Sequence, residues 1–304
     1  FKQKTAYEIM PSLVGSEMCI RDRNGSHTRL NGSINTVVAL PGEAQPIIER
    51  FHLSPFKHSP FKTFRNANKE RWLVISGVGK DLSEQACAHV AEVSSTNAST
   101  AWLNVGVGGH RSLPIGTILA AHKITDDTSR RTWYPPMIFD LPCNSSGVRT
   151  LKSESHNYPH DEIIEMEAAG FYEAASRYTS HELIHCLKVI SDNEKSPRLK
   201  YNTVPELLAG CLDKIDNISS QLMQLSREQG QLNKPHPEMD SFLEKWAFTA
   251  TQTHQLKNLL QRWSVINMHE KGFETAVNSC HNSKEVLALL SHMLDIPQVK
   301  AESL

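Results

Sequence analysis

Four stretches of the chain place acids and glycines where an apolar, β-rich run gives way to a loop or a helix: ALPGEA at 39–44, SGVGK at 76–80, NVGVGG at 104–109, and EMEAAGFYEAA at 165–175 with VISDN at 189–193. Strand ends are where α/β folds gather their active sites. A carboxylate placed there can move a proton, orient a water or accept hydrogen bonds from hydroxyls. Each acid also has an ordinary reading. Asp192, after a buried strand, can cap a helix, and Glu167, in a helical first turn, gains from the helix dipole. Ser76-Gly77-Val78-Gly79-Lys80 sits between a strand and a helix as phosphate-cradling loops do. It lacks the spacing of dinucleotide or nucleoside triphosphate motifs, so a tight glycine turn is the reading for Gly77 and Gly79.

Other reactive residue types give weaker signals. Among fifteen histidines, His156 and His160, and His181 and His185, have i, i+4 spacing, but neither pair is backed by a helix and an acid of the right type, and Leu183-Ile184 belong to a strand-like run, so no metal site is expected. The six cysteines, Cys19, Cys87, Cys143, Cys186, Cys211 and Cys280, form no C-x-x-C pair and read as reduced, mostly buried thiols. With 32 basic and 33 acidic side chains the net charge is −1, which offers no basic excess for nucleic acid. No apolar run is long enough to span a bilayer and no secretory leader is evident, so a cytoplasmic chain with a small-molecule partner and no membrane contact is expected.

The elements that must position the acids follow from hydrophobic pattern. Residues 34–40 (INTVVAL) read as a buried strand, and Ala44, Ile47, Ile48 and Phe51 then share a helical face. Strands are expected at 72–76, 101–107, 116–124, 137–141 and 182–191, with helices at 81–93 and 167–178. Residues 52–70 read as irregular connection, and a Ser/Asn-rich loop follows 141. Buried strands alternating with helices predict a layered α/β domain: a three-layer αβα sandwich with a mixed, twisted sheet. After Asn202 a long amphipathic helix over 204–229, a Pro-containing linker over 231–237, and helices at 241–263 and 283–294 form a helical C-terminal extension. The domain limits read as 24–230 for the catalytic domain and 231–304 for the extension. Residues 1–9 (FKQKTAYEI) and 13–23 (LVGSEMCIRDR) resemble in-frame translations of the two constant parts of a common DNA-sequencing library adapter, with Met10, Pro11 and Ser12 across the barcode. Residues 1–23 are therefore set aside as a non-native, disordered segment in which Cys19 has no role.

Taken in order, the four segments resemble the nucleoside phosphorylase superfamily over roughly residues 34–229, and most closely its methylthioadenosine/adenosylhomocysteine nucleosidase branch. The specific part is the pairing of Met-Glu-Ala-Ala with Ile-Ser-Asp. The resemblance implies a phosphorylase-like fold and hydrolysis of the N-glycosidic bond of an adenosine-like purine nucleoside, with no metal or organic cofactor. It implies that Asp192 is the acid that passes a proton to purine N7, oriented with help from Ser191 and Asn193. Glu167 would accept the ribose hydroxyls, Met166 would lie against the sugar, and Glu165 would be a further acid near the ribose. Glu43 would hold and activate the attacking water. Gly77 and Gly79 would turn the chain beside the nucleophile, and Val107 and Gly108 would line the substrate site.

Related phosphorylases carry Gly-Asp-Pro with a nearby arginine, a second arginine before the NVGVGG equivalent and a serine within it. Here those places read Leu40-Pro41-Gly42-Glu43, Ala101-Trp102-Leu103 and Val107. A phosphate nucleophile is already anionic and wants cations, so Glu43 favours water. The base pocket aligns poorly, and Trp133, Tyr134 and Tyr158 are the candidates to stack on the purine. One rival reading is a phosphorylase that binds phosphate through Arg111 or Lys80. Another is a nucleoside-binding or interaction module without turnover. A homodimer is expected by analogy.

Overall fold

The computed structural model describes residues 32–56, 60–158, 161–196, 201–232, 236–266 and 276–295. The adapter-like segment at 1–23 lies outside them. The central sheet has strands β1 (Ile34–Val38), β2 (Ser54–Pro55), β3 (Lys62–Arg65), β4 (Arg71–Ile75), β5 (Ala101–Gly109), β6 (Ile118–Asp126), β7 (Thr132–Trp133), β8 (Ser145–Thr150), β9 (Ile163–Glu165) and β10 (Ile184–Asp192). Its order is β10-β6-β8-β9-β5-β1-β4-β3-β2, with β7 on β6, and β10 pairs with β5 as well. Strands β5, β9, β8, β6 and β10 thus close into a ring from which β1, β4, β3 and β2 extend. The sheet is mixed: β1 is parallel to β4 and β5, and β10 is parallel to β5 but antiparallel to β6.

Helices cover both faces, completing three layers. On β5, Trp102 points to the cluster formed with α2 (Lys80–Val93) and α3 (Ala168–Ala175) through Ala86, Val90 and Phe171. Ala101, Leu103 and Val105 point the other way, against α1 (Pro41–Arg50), α4 (Val204–Ala209) and α5 (Leu212–Leu232) through Ile47, Leu208 and Ile218. That alternation is the period-2 pattern of a strand buried on both faces. C-terminal helices α6 (Met239–Lys245), α7 (Ala250–Ile266) and α8 (Ser283–Asp295) gather a core of their own around Phe242, Trp246, Leu260, Trp263 and Leu290. No helix among the described residues is long and apolar enough to cross a membrane. Cys87, Cys143, Cys186, Cys211 and Cys280 are free thiols.

Several sequence expectations need correction. Residues 137–141 form no strand; Phe139 and Leu141 pack as irregular chain against the α1/α5 core. The helix expected over 204–229 breaks at Gly210-Cys211, and that expected over 241–263 breaks at 246–249. The Ser/Asn-rich stretch supplies β8, and the irregular connection at 52–70 supplies the antiparallel pair β2–β3. Residues 182–183 belong to a short 3-10 turn at His181–Leu183 that precedes β10.

Candidate active site

Glu43 is the third residue of α1 and reaches back over the turn that follows β1. Its Oε2 accepts the Ala39 and Leu40 N–H groups, both at 2.8 Å, and its Oε1 accepts the Val107 N–H at 2.9 Å. A carboxylate offers about four lone-pair sites, so one on Oε1 remains for a further donor. Burial pushes the Glu43 carboxyl above its ordinary range, against the pull of those N–H groups and the Lys188 charge. A Cβ on Gly106 would lie 3.2 Å from both Glu43 Oε1 and Lys188 Nζ, so glycine at that strand position lets the two ends converge.

Lys188 projects from the middle of β10 and is 1% exposed. Its ammonium is 2.8 Å from Glu165 Oε2. Burial alone would pull this group down, but the Glu165 and Glu167 charges hold it above the usual lysine range. Glu165 closes β9 and is committed to protein partners. Its Oε1 accepts the Thr150 hydroxyl at 2.5 Å, and its Oε2 also accepts the N–H groups of Glu167 and Ala168 at the start of α3. A carboxylate there satisfies orphan helix N–H groups and opposes the positive end of the helix dipole.

Glu167 caps α3 and receives the Gly79 N–H on Oε1 at 2.7 Å. No protein group bonds its Oε2 among the described residues. Gly79 adopts φ 111° and Gly77 φ 84°, the left-handed region that glycine enters at little cost, and this aims the Gly79 N–H across at Glu167. Burial, then the neighbouring Glu165 charge, pushes the Glu167 carboxyl up to about 7.

Asp192 ends β10 just past a register slip against β5 between Ile190 and Asp192. Bulges of this kind re-aim a side chain at a strand end. Asp192 Oδ1 accepts the Ser191 hydroxyl at 2.6 Å, and Oδ2 accepts the hydroxyl of Tyr158.

Glu43, Glu167 and Asp192 line one cleft of about 720 Å³, its open mouth included. Met166, Glu165, Ser191, Val107 and Gly108 line it too. Gly77 and Gly79, expected in the nucleophile-site loop, do not line it themselves; with positive φ they flank Val78, which does. A Cβ on Gly108 would come within 2.5 Å of Ile163, so that glycine lets β9 cross β5. Among the described residues, no group of three His, Cys, Asp or Glu is arranged to hold a metal ion.

The stacking candidates do not meet in the cleft. Trp133 packs on Tyr172 with ring centroids 6.2 Å apart, Tyr134 is 68% exposed, and Tyr158 is buried with its hydroxyl on Asp192. The ring that does line the cleft is the imidazole of His156. Arg111 and Lys80 do not line it. Arg111 bonds the Tyr158 carbonyl and pairs with Glu194, while Lys80 bonds Asp126 at 2.6 Å.

No protein-family model matches the sequence, and no curated protein does. Solved structures match in fold. The 5′-methylthioadenosine/S-adenosylhomocysteine nucleosidase of Campylobacter jejuni aligns with a TM-score of 0.51 at 14% identity, covering 62% of this chain and 99% of that one. The 5′-methylthioadenosine nucleosidase of Arabidopsis thaliana gives 0.52 at 14% identity, covering 63% and 96%. The chain shares the fold of these two solved structures.

Within this fold, two features left different marks in the sequence. Lys188 is the one charged residue inside the run LIHCLKVIS, and a fully buried lysine demands a charged partner, so its position carried the signal. The Tyr158–Asp192 contact left no such mark, because nothing in the spacing of the two residues ties them together.

Proposed function

We propose that the protein is a purine nucleosidase that hydrolyses the N-glycosidic bond of an adenosine-like nucleoside, releasing free base and a ribose derivative. One observation carries this reading: three carboxylates from three separate elements, Glu43, Glu167 and Asp192, face a single sugar-sized cleft. A purine anion leaves poorly, so protonation of N7 by Asp192 lowers the barrier, an effect typically worth roughly 10²–10⁴-fold. Glu167 accepts the ribose hydroxyls on its open oxygen, and its charge opposes the positive charge that develops on the sugar. Glu43 takes the remaining donor, the attacking water, on Oε1. Lys188 keeps this crowd of acids from repelling one another apart, and Met166 forms the apolar wall beside the sugar. His156 supplies the ring at the base end.

The phosphorylase alternative needs cations at the nucleophile. Arg111 and Lys80 are engaged with Glu194 and Asp126 away from the cleft, and Lys188 is engaged with Glu165. Water is the better nucleophile for this arrangement. The test is release of free base from a panel of purine nucleosides with and without phosphate. Phosphate-independent release of base and free sugar is expected. Ribose 1-phosphate formed only with phosphate would favour the phosphorylase, and tight binding without release would favour a non-catalytic module. A homodimer and a cytoplasmic location remain parts of the same proposal, with size-exclusion light scattering and fractionation as their checks.

A further inference from the structure

Tyr158 is held with more care than a packing aromatic requires. It is 2% exposed, and its hydroxyl donates to Asp192 Oδ2. Three consecutive residues at the end of β5 fix this pair. A Cβ on Gly109 would lie 2.5 Å from Asp192 Oδ2 and 2.6 Å from Tyr158 Cε1, so only glycine leaves room for both. The His110 N–H donates to the Asp192 carbonyl at 3.0 Å. Arg111 Nε donates to the Tyr158 carbonyl at 3.1 Å. Burial and the Asp192 carboxylate hold the Tyr158 hydroxyl well above the ordinary phenol range, so it keeps its proton and remains a donor.

Building on the nucleosidase reading, we infer that Tyr158 is a positioning residue for leaving-group protonation: its hydroxyl aims Asp192 at the base and stabilises the carboxylate left behind when the proton goes. In that step the Asp192 O–H bond breaks and N7–H forms, while the C1′–N9 electron pair passes into the purine. Water oxygen bonds to C1′ and its proton goes to Glu43. Tyr158 keeps its own proton throughout. With about four lone-pair sites on the carboxylate, the Tyr158 and Ser191 hydroxyls leave a place for N7. Hydrogen bonds to an ionised acceptor are roughly twice as strong as neutral ones. The Tyr158 contact therefore strengthens as the proton departs, which assists the transition state more than the ground state.

The test compares wild type with Tyr158→Phe on two substrates: 5′-methylthioadenosine, whose base must be protonated, and 4-nitrophenyl β-D-riboside, whose phenolate leaves without it. Losing a hydrogen bond to a charged group should lower kcat on the nucleoside roughly 10- to 100-fold with KM little changed. Turnover of the aryl riboside should stay within about twofold of wild type, since no proton transfer to its leaving group is required. Gly109→Ala, which forces the pair apart by a different route, should reproduce the same selectivity. Equal losses on both substrates would assign Tyr158 a merely structural role, and an unchanged kcat on the nucleoside would remove it from the reaction; either result overturns the inference. A wild-type protein inactive on both substrates would instead fail the nucleosidase reading itself, and this inference with it.

Discussion

At one end of the cleft, Glu43, Glu165 and Glu167 are gripped by main-chain N–H groups and by the buried Lys188 ammonium, whereas at the other Asp192 is held by two hydroxyls, from Ser191 and Tyr158. The first arrangement is woven into the fold, because the same carboxylates that face the cleft also satisfy the starts of α1 and α3. The second is an addition at a strand end, where a bulge and an irregular segment meet. Stability and turnover should therefore separate between the two ends.

The sharpest way to break that contrast is Asp192→Asn. Turnover of an adenosine-like nucleoside should fall roughly 10²–10⁴-fold, while urea unfolding shifts by about 1 kcal/mol or less; a large loss of stability with intact turnover would reverse the assignment. Lys188→Met should do the opposite and lower the unfolding free energy by about 3–5 kcal/mol, since it strands Glu165 in the interior. Urea titration of that variant checks it, and a shift no larger than that of Asp192→Asn would show that the two ends are held alike.

Glu167 sharpens the contrast through pH. Burial and Glu165 raise its carboxyl to about 7, so the charged form, which the proposed function has accept the ribose hydroxyls, is lost as pH falls below that value. The expected kcat/KM rises with pH, about tenfold per unit below 7, and levels off above it. Glu167→Gln should flatten this limb. The smallest effect is expected from Gly79→Ala, where the space is open but φ is 111°. Strain of about 1–3 kcal/mol should appear in thermal unfolding, together with a raised KM as the N–H swings off Glu167.

The layered fold was legible because β1 and β4 are largely apolar runs followed by helical periodicity, while β5 and β10 are strand-like runs buried along almost their whole length. The three cleft acids were legible because each stands at a strand or helix end within a motif. Strand β8 was hidden, since SSGVRT is a polar, turn-like composition that becomes a strand only between β6 and β9. Residues 137–141 erred the other way, their apolar content serving to cover a core rather than to enter a sheet. Tyr158 could not be placed from sequence because its partner lies across the fold, and contacts of that kind leave no local periodicity.

The claim on which all of this rests is that acids from distant parts of the chain act on one bond. Base release by Glu43→Gln, Asp192→Asn and the double variant tests it most directly. Each single change should cost at least about 100-fold in kcat, and the double variant should lose far less than the product of the two, as groups that act in one step do. Singles that retain turnover, or losses that simply multiply, would contradict the account.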